Sequence, residues 1–200
     1  LNNNKRGQMA MKYLSVLLVS IFILASISCD SLDNVEVDPD PLITAEIADS
    51  QNYDLITPVY GMRVSIKNGV DRNDQDVLDI LDRRATQFLD CQFAEGSQLG
   101  FEEVMLANGT IVPPLSDLRV FVVPNRYKCD VPGTSVCNGT YFGGVDIVTV
   151  AEGGFPGCDV FLPWKHELGH RYGMDANHSN QSDFQSCIGD SSCDIGDIFD

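Results

Sequence analysis

The chain has 200 residues, enough for one domain of ordinary size with short appendages. Its 29 acidic residues outnumber its 13 basic residues, and the formal net charge is −16. Because nucleic acids bind to basic surfaces, this balance argues against a nucleic-acid partner and is typical of a soluble secreted protein.

The N-terminal segment has the pattern of a secretory signal. Lys5, Arg6 and Lys12 precede an apolar run from Leu14 to Ile27. This run is shorter than the ~20 residues that comfortably span a bilayer. A basic start, a short apolar stretch and small residues at its end together predict a signal peptide over residues 1–28.

Cys29 stands directly after this segment. The sequence Ser26-Ile27-Ser28-Cys29 resembles a bacterial lipobox, in which the Cys is lipidated and begins the mature protein, although Ser26 replaces the usual Leu. We predict that residues 29–42 form a lipidated, acidic, Pro-containing tether and that a folded domain covers residues 43–200. The expected location is the bacterial cell envelope, lipid-anchored to the membrane through Cys29 or, with cleavage elsewhere, secreted.

The remaining cysteines are even in number. Without Cys29, six are left, and an even count after a signal peptide predicts disulfides formed in an oxidising compartment. The favoured pairs are the local ones, Cys129–Cys137 and Cys187–Cys193, which leaves Cys91–Cys158. A zinc-ligand role for Cys187 or Cys193 is the minor alternative.

The first half of the domain contains one predicted strand and one predicted helix. Tyr60–Lys67 alternates between apolar and polar residues, which indicates a strand, and an Asn-Gly turn follows at 68–69. Apolar residues then recur at helical spacing over Asp74–Phe93, with Asp71 or Asn73 as the N-cap.

The middle of the chain alternates between loops and strands. Gln92–Ser116 has the composition of a loop, and Leu118–Val123 is a strongly apolar strand that Pro124 is expected to end. Lys128–Gly139 is predicted to be a Cys-bounded loop and Val145–Val150 another strand. Together with a helix near residue 166, this order predicts an α+β fold with a mixed twisted β-sheet and two main helices.

That second helix carries the most informative motif in the chain. His166, Glu167 and His170 form His-Glu-x-x-His, in which residues four apart share one face of a helix and can bind one zinc ion. Zinc lowers the pKa of a bound water, and the adjacent Glu167 can take its proton as general base. An ordinary helix with a chance match is the alternative.

The flanking residues are consistent with such a helix. Trp164, Leu168 and Tyr172 form an apolar row that is expected to face the core. Pro163 suits a first helical position, and Gly173 suits the left-handed residue that ends a helix.

This segment resembles the signature of the metzincin clan of zinc endopeptidases, His-Glu-x-x-His-x-x-Gly-x-x-His followed by a Met-turn. His166, Glu167, His170 and Gly173 match it position for position. The resemblance implies a metzincin-like zincin catalytic domain with zinc as cofactor and a peptide or protein as substrate.

Two features depart from that signature. Ala176 stands at the position of the last His, His178 comes two residues later, and no Met follows Met174. We predict His178 as the third zinc ligand, because the return from Gly173 is long enough and imidazole is a good zinc donor. Asp183 and Asp175 remain the alternatives.

The leading functional hypothesis is therefore a zinc-dependent endopeptidase that hydrolyses peptide bonds at the bacterial envelope surface, with residues 43–200 as the metallopeptidase domain. One alternative is a non-catalytic surface lipoprotein stabilised by a metal, and another is a zinc hydrolase with a non-peptide substrate. The sequence gives no indication of the oligomeric state.

Overall fold

A computed structural model of the protein describes residues 40–131, 134–153 and 162–188. The predicted signal peptide, Cys29, most of the tether, Cys158 and Cys193 lie outside the described residues. Within them, no helix is both long enough and apolar enough to cross a membrane.

The described chain contains four α-helices and nine strands. The helices are α1 (Ala45–Asp49), α2 (Asp74–Gln92), α3 (Leu162–Arg171) and α4 (Gln185–Ile188). The strands are β1 (Leu55–Ile56), β2 (Arg63–Ile66), β3 (Val104–Met105), β4 (Ile111–Val112), β5 (Arg119–Asn125), β6 (Tyr127–Val131), β7 (Thr134–Cys137), β8 (Gly139–Phe142) and β9 (Ile147–Gly153). Short 3-10 helices cover Gly96–Phe101, Leu115–Asp117 and Gln181–Asp183.

Five strands form the central sheet in the order β1-β2-β5-β9-β8. β2, β5 and β9 are mutually parallel, whereas β1 and β8 pair antiparallel with their neighbours. The predicted α+β class with a mixed sheet and few helices is thus confirmed, and β8 forms one edge of the sheet.

One face of the sheet packs against α2 and α3, and the other against α1 and the β6–β7 hairpin. Val120 and Val122 of β5 join the cluster under the helices, while Phe121 and Val123 join the cluster on the opposite face. This alternation is the period of two expected for a strand buried on both sides. Trp164 of α3 is fully buried and its indole N–H donates to the α2 backbone.

The predicted helix and strands are confirmed with small shifts in their boundaries. Asn73 is the N-cap of α2, because its side chain accepts a hydrogen bond from the backbone N–H of Asp76 at 3.0 Å. The strand predicted over Tyr60–Lys67 is the shorter β2, and Gly69 in the turn after it has a φ of +100°.

Pro124 does not end its strand, which continues to Asn125. The carbonyl of Val122 accepts from Lys67 N–H, so Val122 and, two residues later, Pro124 face β2. Because β2 has already ended at Ile66, the missing N–H of Pro124 breaks no hydrogen bond of the sheet.

Two stretches predicted as loops contain strands. Gln92–Ser116 holds the β3–β4 hairpin, and Lys128–Gly139 belongs to the β6–β7 hairpin and the start of β8. The Cys129–Cys137 disulfide, predicted correctly, joins β6 to β7. A covalent cross-link between facing strands fixes a hairpin that the local composition does not indicate.

The other predicted disulfides are wrong. Cys91 at the end of α2 pairs with Cys187 of α4, across 96 residues of sequence. Phe184 and Ile188 are buried in the same cluster as Phe88 of α2, so packing brings α4 onto α2 and sets this pair. Since Cys187 is in a disulfide, it is not available as a zinc ligand.

Removing each disulfide as a pair should lower the free energy of unfolding by different amounts. Cys91→Ala with Cys187→Ala opens a loop of 96 residues, and Cys129→Ala with Cys137→Ala a loop of 8. Chain entropy in the unfolded state predicts losses of about 4–5 and about 2–3 kcal/mol. Urea unfolding of both variants measures the difference, and a larger loss for the short loop would contradict the pairing.

Candidate metal centre

The helix that carries the motif is ended by glycine. Gly173 has a φ of +106°, its N–H donates to His170 O, and Met174 N–H donates to Gly169 O at 2.8 Å. This pair of bonds is a Schellman motif, which satisfies the last carbonyls and turns the chain away from the helix axis. After Gly173 the chain can therefore turn back toward the side of α3 that carries His166 and His170.

The apolar row of α3 fixes which side faces outward. Trp164 and Leu168 are fully buried and Tyr172 is 2% exposed, as the spacing predicts. With this row in the core, His166 and His170 remain partly accessible on the other side of the helix.

The structure brings the three histidines of the chain together. His166 Nε2 lies 3.0 Å from His178 Nε2 and 3.2 Å from His170 Nε2, and all three possible ligand atoms lie within 4.8 Å of one another. Tetrahedral zinc with bonds of about 2.0–2.1 Å places its nitrogen ligands about 3.3 Å apart. The arrangement therefore fits three ligands of one metal ion whose fourth position is open.

A backbone contact sets the tautomer of His170. Its Nδ1 lies 3.1 Å from Met174 O. Because a carbonyl oxygen only accepts, Nδ1 carries the proton and the Nε2 lone pair points toward the other two rings. This is the arrangement typical of a metal-binding histidine.

Burial keeps the motif histidines neutral in the metal-free protein. Burial, with smaller contributions from the neighbouring His170 and His178, lowers the pKa of His166 to about 4. Burial also lowers the pKa of His170, despite its bond to Met174 O. Neutral imidazole is the form that binds metal, so neither of these histidines has to release a proton before a metal binds at neutral pH.

Glu167 lies between α3 and β8 and is 5% exposed. Burial raises its pKa to about 8, although the Tyr141 backbone N–H donates to the carboxylate and lowers it. A cation close by would favour the ionised carboxylate, so a metal on the histidines and a charged Glu167 stabilise each other.

Gly139 of β8 makes room for this carboxylate. A Cβ at Gly139 would lie 2.6 Å from Glu167 Oε1 and 2.8 Å from Pro163 Cβ. Real Cβ atoms do not approach so closely, so any larger residue would displace the side chain of Glu167 or the start of α3.

A cleft of about 480 Å³ runs between these parts. β8 and the following turn form one wall, α3 supplies His166, Glu167 and His170, and the chain after Gly173 supplies Met174, Ala176 and His178. Its size is that of small-ligand pockets in proteins.

His178 is the third histidine of the cluster, and neither Asp175 nor Asp183 belongs to it. The Asp175 carboxylate accepts a hydrogen bond from the Ser179 hydroxyl, and Asp183 is exposed in a 3-10 helix. His178 has a φ of +61°, which is unusual for a residue other than glycine.

An ion pair next to His170, between the buried Arg171 and the half-buried Asp146, is not predicted by the sequence. Arg171 Nε and Nη2 each lie 2.9 Å from an oxygen of Asp146, in the turn between β8 and β9, and Nη2 also donates to the carbonyls of Pro113 and Pro114. The pair fixes the end of α3 to that turn.

Gly139→Ala should destabilise the domain, whereas Gly144→Ala in the following turn should not. A Cβ at Gly144 meets nothing within 4 Å, while the one at Gly139 overpacks a filled site, which typically costs about 1–3 kcal/mol. Thermal unfolding of both variants measures the difference. In the Glu167→Ala background the cost of Gly139→Ala should fall, and full additivity would show that the two residues do not touch.

Comparison of the chain with protein-family models, with curated proteins and with solved structures finds no significant match. The resemblance to metzincins therefore stands on the residues of the motif alone.

Proposed function

We propose that the protein is a zinc-dependent endopeptidase. The observation that carries the proposal is the convergence of three imidazole Nε2 atoms in a cleft that also contains Glu167. His166, His170 and His178 would hold the metal, as the metzincin resemblance also implies. When bound, zinc supplies a Lewis acid and lowers the pKa of a water.

Glu167 has the role of general base in this proposal. Its carboxylate would accept a proton from the attacking water and pass it to the leaving amine. Gly139 and the Tyr141 N–H position it, so the side chain loses little freedom when substrate binds.

An open metal position favours catalysis over a purely structural metal. Structural zinc usually has four protein ligands, while catalytic zinc has three and one open position. In residues 40–131, 134–153 and 162–188, the cluster contains three histidines and no fourth ligand.

The edge of the sheet favours a peptide substrate. Among the described residues, β8 pairs with β9 on one side only, and the Tyr141 N–H faces the cleft because it donates to Glu167. The backbone of Gly139, two residues earlier, faces the same way. An extended peptide can add to such an edge through main-chain hydrogen bonds, beside the proposed metal.

The bond from Tyr141 N–H to Glu167 also supports a second candidate function. In a non-catalytic, metal-stabilised surface protein, Glu167 would serve only to join α3 to β8. The two functions differ in whether the carboxylate contributes to turnover.

Two disulfides in the described residues favour an extracellular or envelope location, because such bonds persist in oxidising compartments. Lipid attachment at Cys29 is the finer proposal and rests on the lipobox-like sequence.

Glu167→Gln should retain zinc and lose most of its activity on casein-like substrates. The amide keeps the size of the side chain but cannot take a proton, and a general base typically contributes ~10²–10⁴-fold. Zinc content and turnover are measured on the same preparation, with and without a chelator.

Glu103→Gln is the matched control, because Glu103 is exposed. It should retain both properties. Full activity of Glu167→Gln would contradict the mechanism, and zinc binding without any chelator-sensitive hydrolysis in the wild type would favour the non-catalytic alternative.

Cys29→Ala should move the protein from the detergent phase to the aqueous phase. The variant removes the only atom to which the proposed lipid is attached, while the folded domain is unchanged. Partitioning of both proteins after expression in a bacterium measures this. If the wild type itself stays in the aqueous phase, the lipid anchor is wrong.

A further inference from the structure

His178 reaches the metal site from outside the helix that carries the other two histidines. It comes eight residues after His170 and five after Gly173, where α3 has ended. Its φ of +61° is a left-handed backbone conformation, which is strained for a residue other than glycine. Some other contact has to hold the loop in this shape.

Asn180, two residues after His178, makes that contact. Its side-chain Nδ2 donates to Gly173 O at 2.9 Å, and its Oδ1 accepts from Asp175 N–H at 2.7 Å. One carboxamide thus joins the end of the loop to its beginning. Because Gly173 is also the residue that ends α3, the loop is fixed relative to the helix.

Two other hydrogen bonds of the loop join residues within the loop itself. His178 N–H donates to Asp175 O at 2.8 Å, and Ser179 N–H donates to Asn177 Oδ1 at 3.1 Å. These bonds shape the turn within residues 175–179. The bond from Asn180 to Gly173 connects that turn to the helix that bears His166 and His170.

We propose that Asn180 is a positioning residue for the third metal ligand, which it holds by closing the loop from Gly173 to Asn180. The inference rests on the proposed metal site, and it explains how a histidine two residues past the metzincin position still reaches the metal. A ligand held in place before metal arrives has less conformational entropy to lose on binding.

The test is the zinc dissociation constant of the full chain, measured by competition with a chelating dye. Asn180→Ala removes both side-chain bonds and should raise the dissociation constant about 10–100-fold, the usual effect of losing a residue that orients a ligand. Asn180→Asp retains the acceptor for Asp175 N–H but loses the donor to Gly173 O, the bond that joins the loop to the helix, so its effect should approach that of Asn180→Ala.

Asn177→Ala is the matched control in the same loop. It removes the bond from Ser179 N–H, which does not reach the helix. It should change the dissociation constant much less, and an effect as large as that of Asn180→Ala would overturn the assignment. Urea unfolding of the metal-free variants reports any general loss of stability separately.

A double-mutant cycle identifies the residue through which Asn180 acts. In the His178→Ala background the ligand is already lost, so Asn180→Ala should have little further effect on zinc affinity. An undiminished effect there, or wild-type affinity of Asn180→Ala, would overturn the inference while leaving the metal site intact. If the wild type binds no zinc, the proposed function fails as well.

Discussion

The site is constrained by three imidazole nitrogens: His166 Nε2 lies about 3 Å from the Nε2 atoms of both His170 and His178, and the His170 lone pair is directed at the other rings. A helix supplies two of them at almost no cost, because residues four apart share a face. It cannot supply the third from the same turn, so α3 has to end and the chain has to return. Gly173 permits that return with its positive φ.

The surrounding contacts hold the two segments of this site against each other. Arg171 and Asp146 fix the end of α3 to the turn after β8, and the Cys91–Cys187 disulfide fixes the chain beyond His178 to α2. Both helices in turn pack on the same face of the sheet. The loop around His178 is mostly exposed, but it is anchored at both ends by buried elements.

The elements that could be predicted from sequence are those in which apolar residues form a clear pattern, because these residues pack into the core. α2 and α3 have apolar residues at helical spacing, and the central strands β5 and β9 are runs of mostly apolar residues. All four residues of β8 are half-buried, so they give no alternating pattern, and this strand was missed although it forms a wall of the cleft. The Cys91–Cys187 pair was missed for another reason, because its partners meet only after α4 has packed on α2.

The same distinction applies to the site. The spacing of His166, Glu167 and His170 identifies two candidate ligands and a carboxylate without any structure. His178 has no matching spacing and could be selected only by its residue type and by the length of chain after Gly173. Asn180 and Asp146 carry no sequence signal, since each acts through one tertiary contact of a polar side chain.

The burial of Glu167 is the feature that an ordinary structural helix explains least well. A carboxyl group at 5% exposure with one N–H donor is costly to ionise, as its raised pKa shows. A neutral apolar residue would join α3 to β8 with less penalty. A nearby cation removes the penalty, and three neutral imidazoles in the same cleft provide the ligands for one. A metal held by the three histidines would therefore explain why a carboxylate is buried beside them.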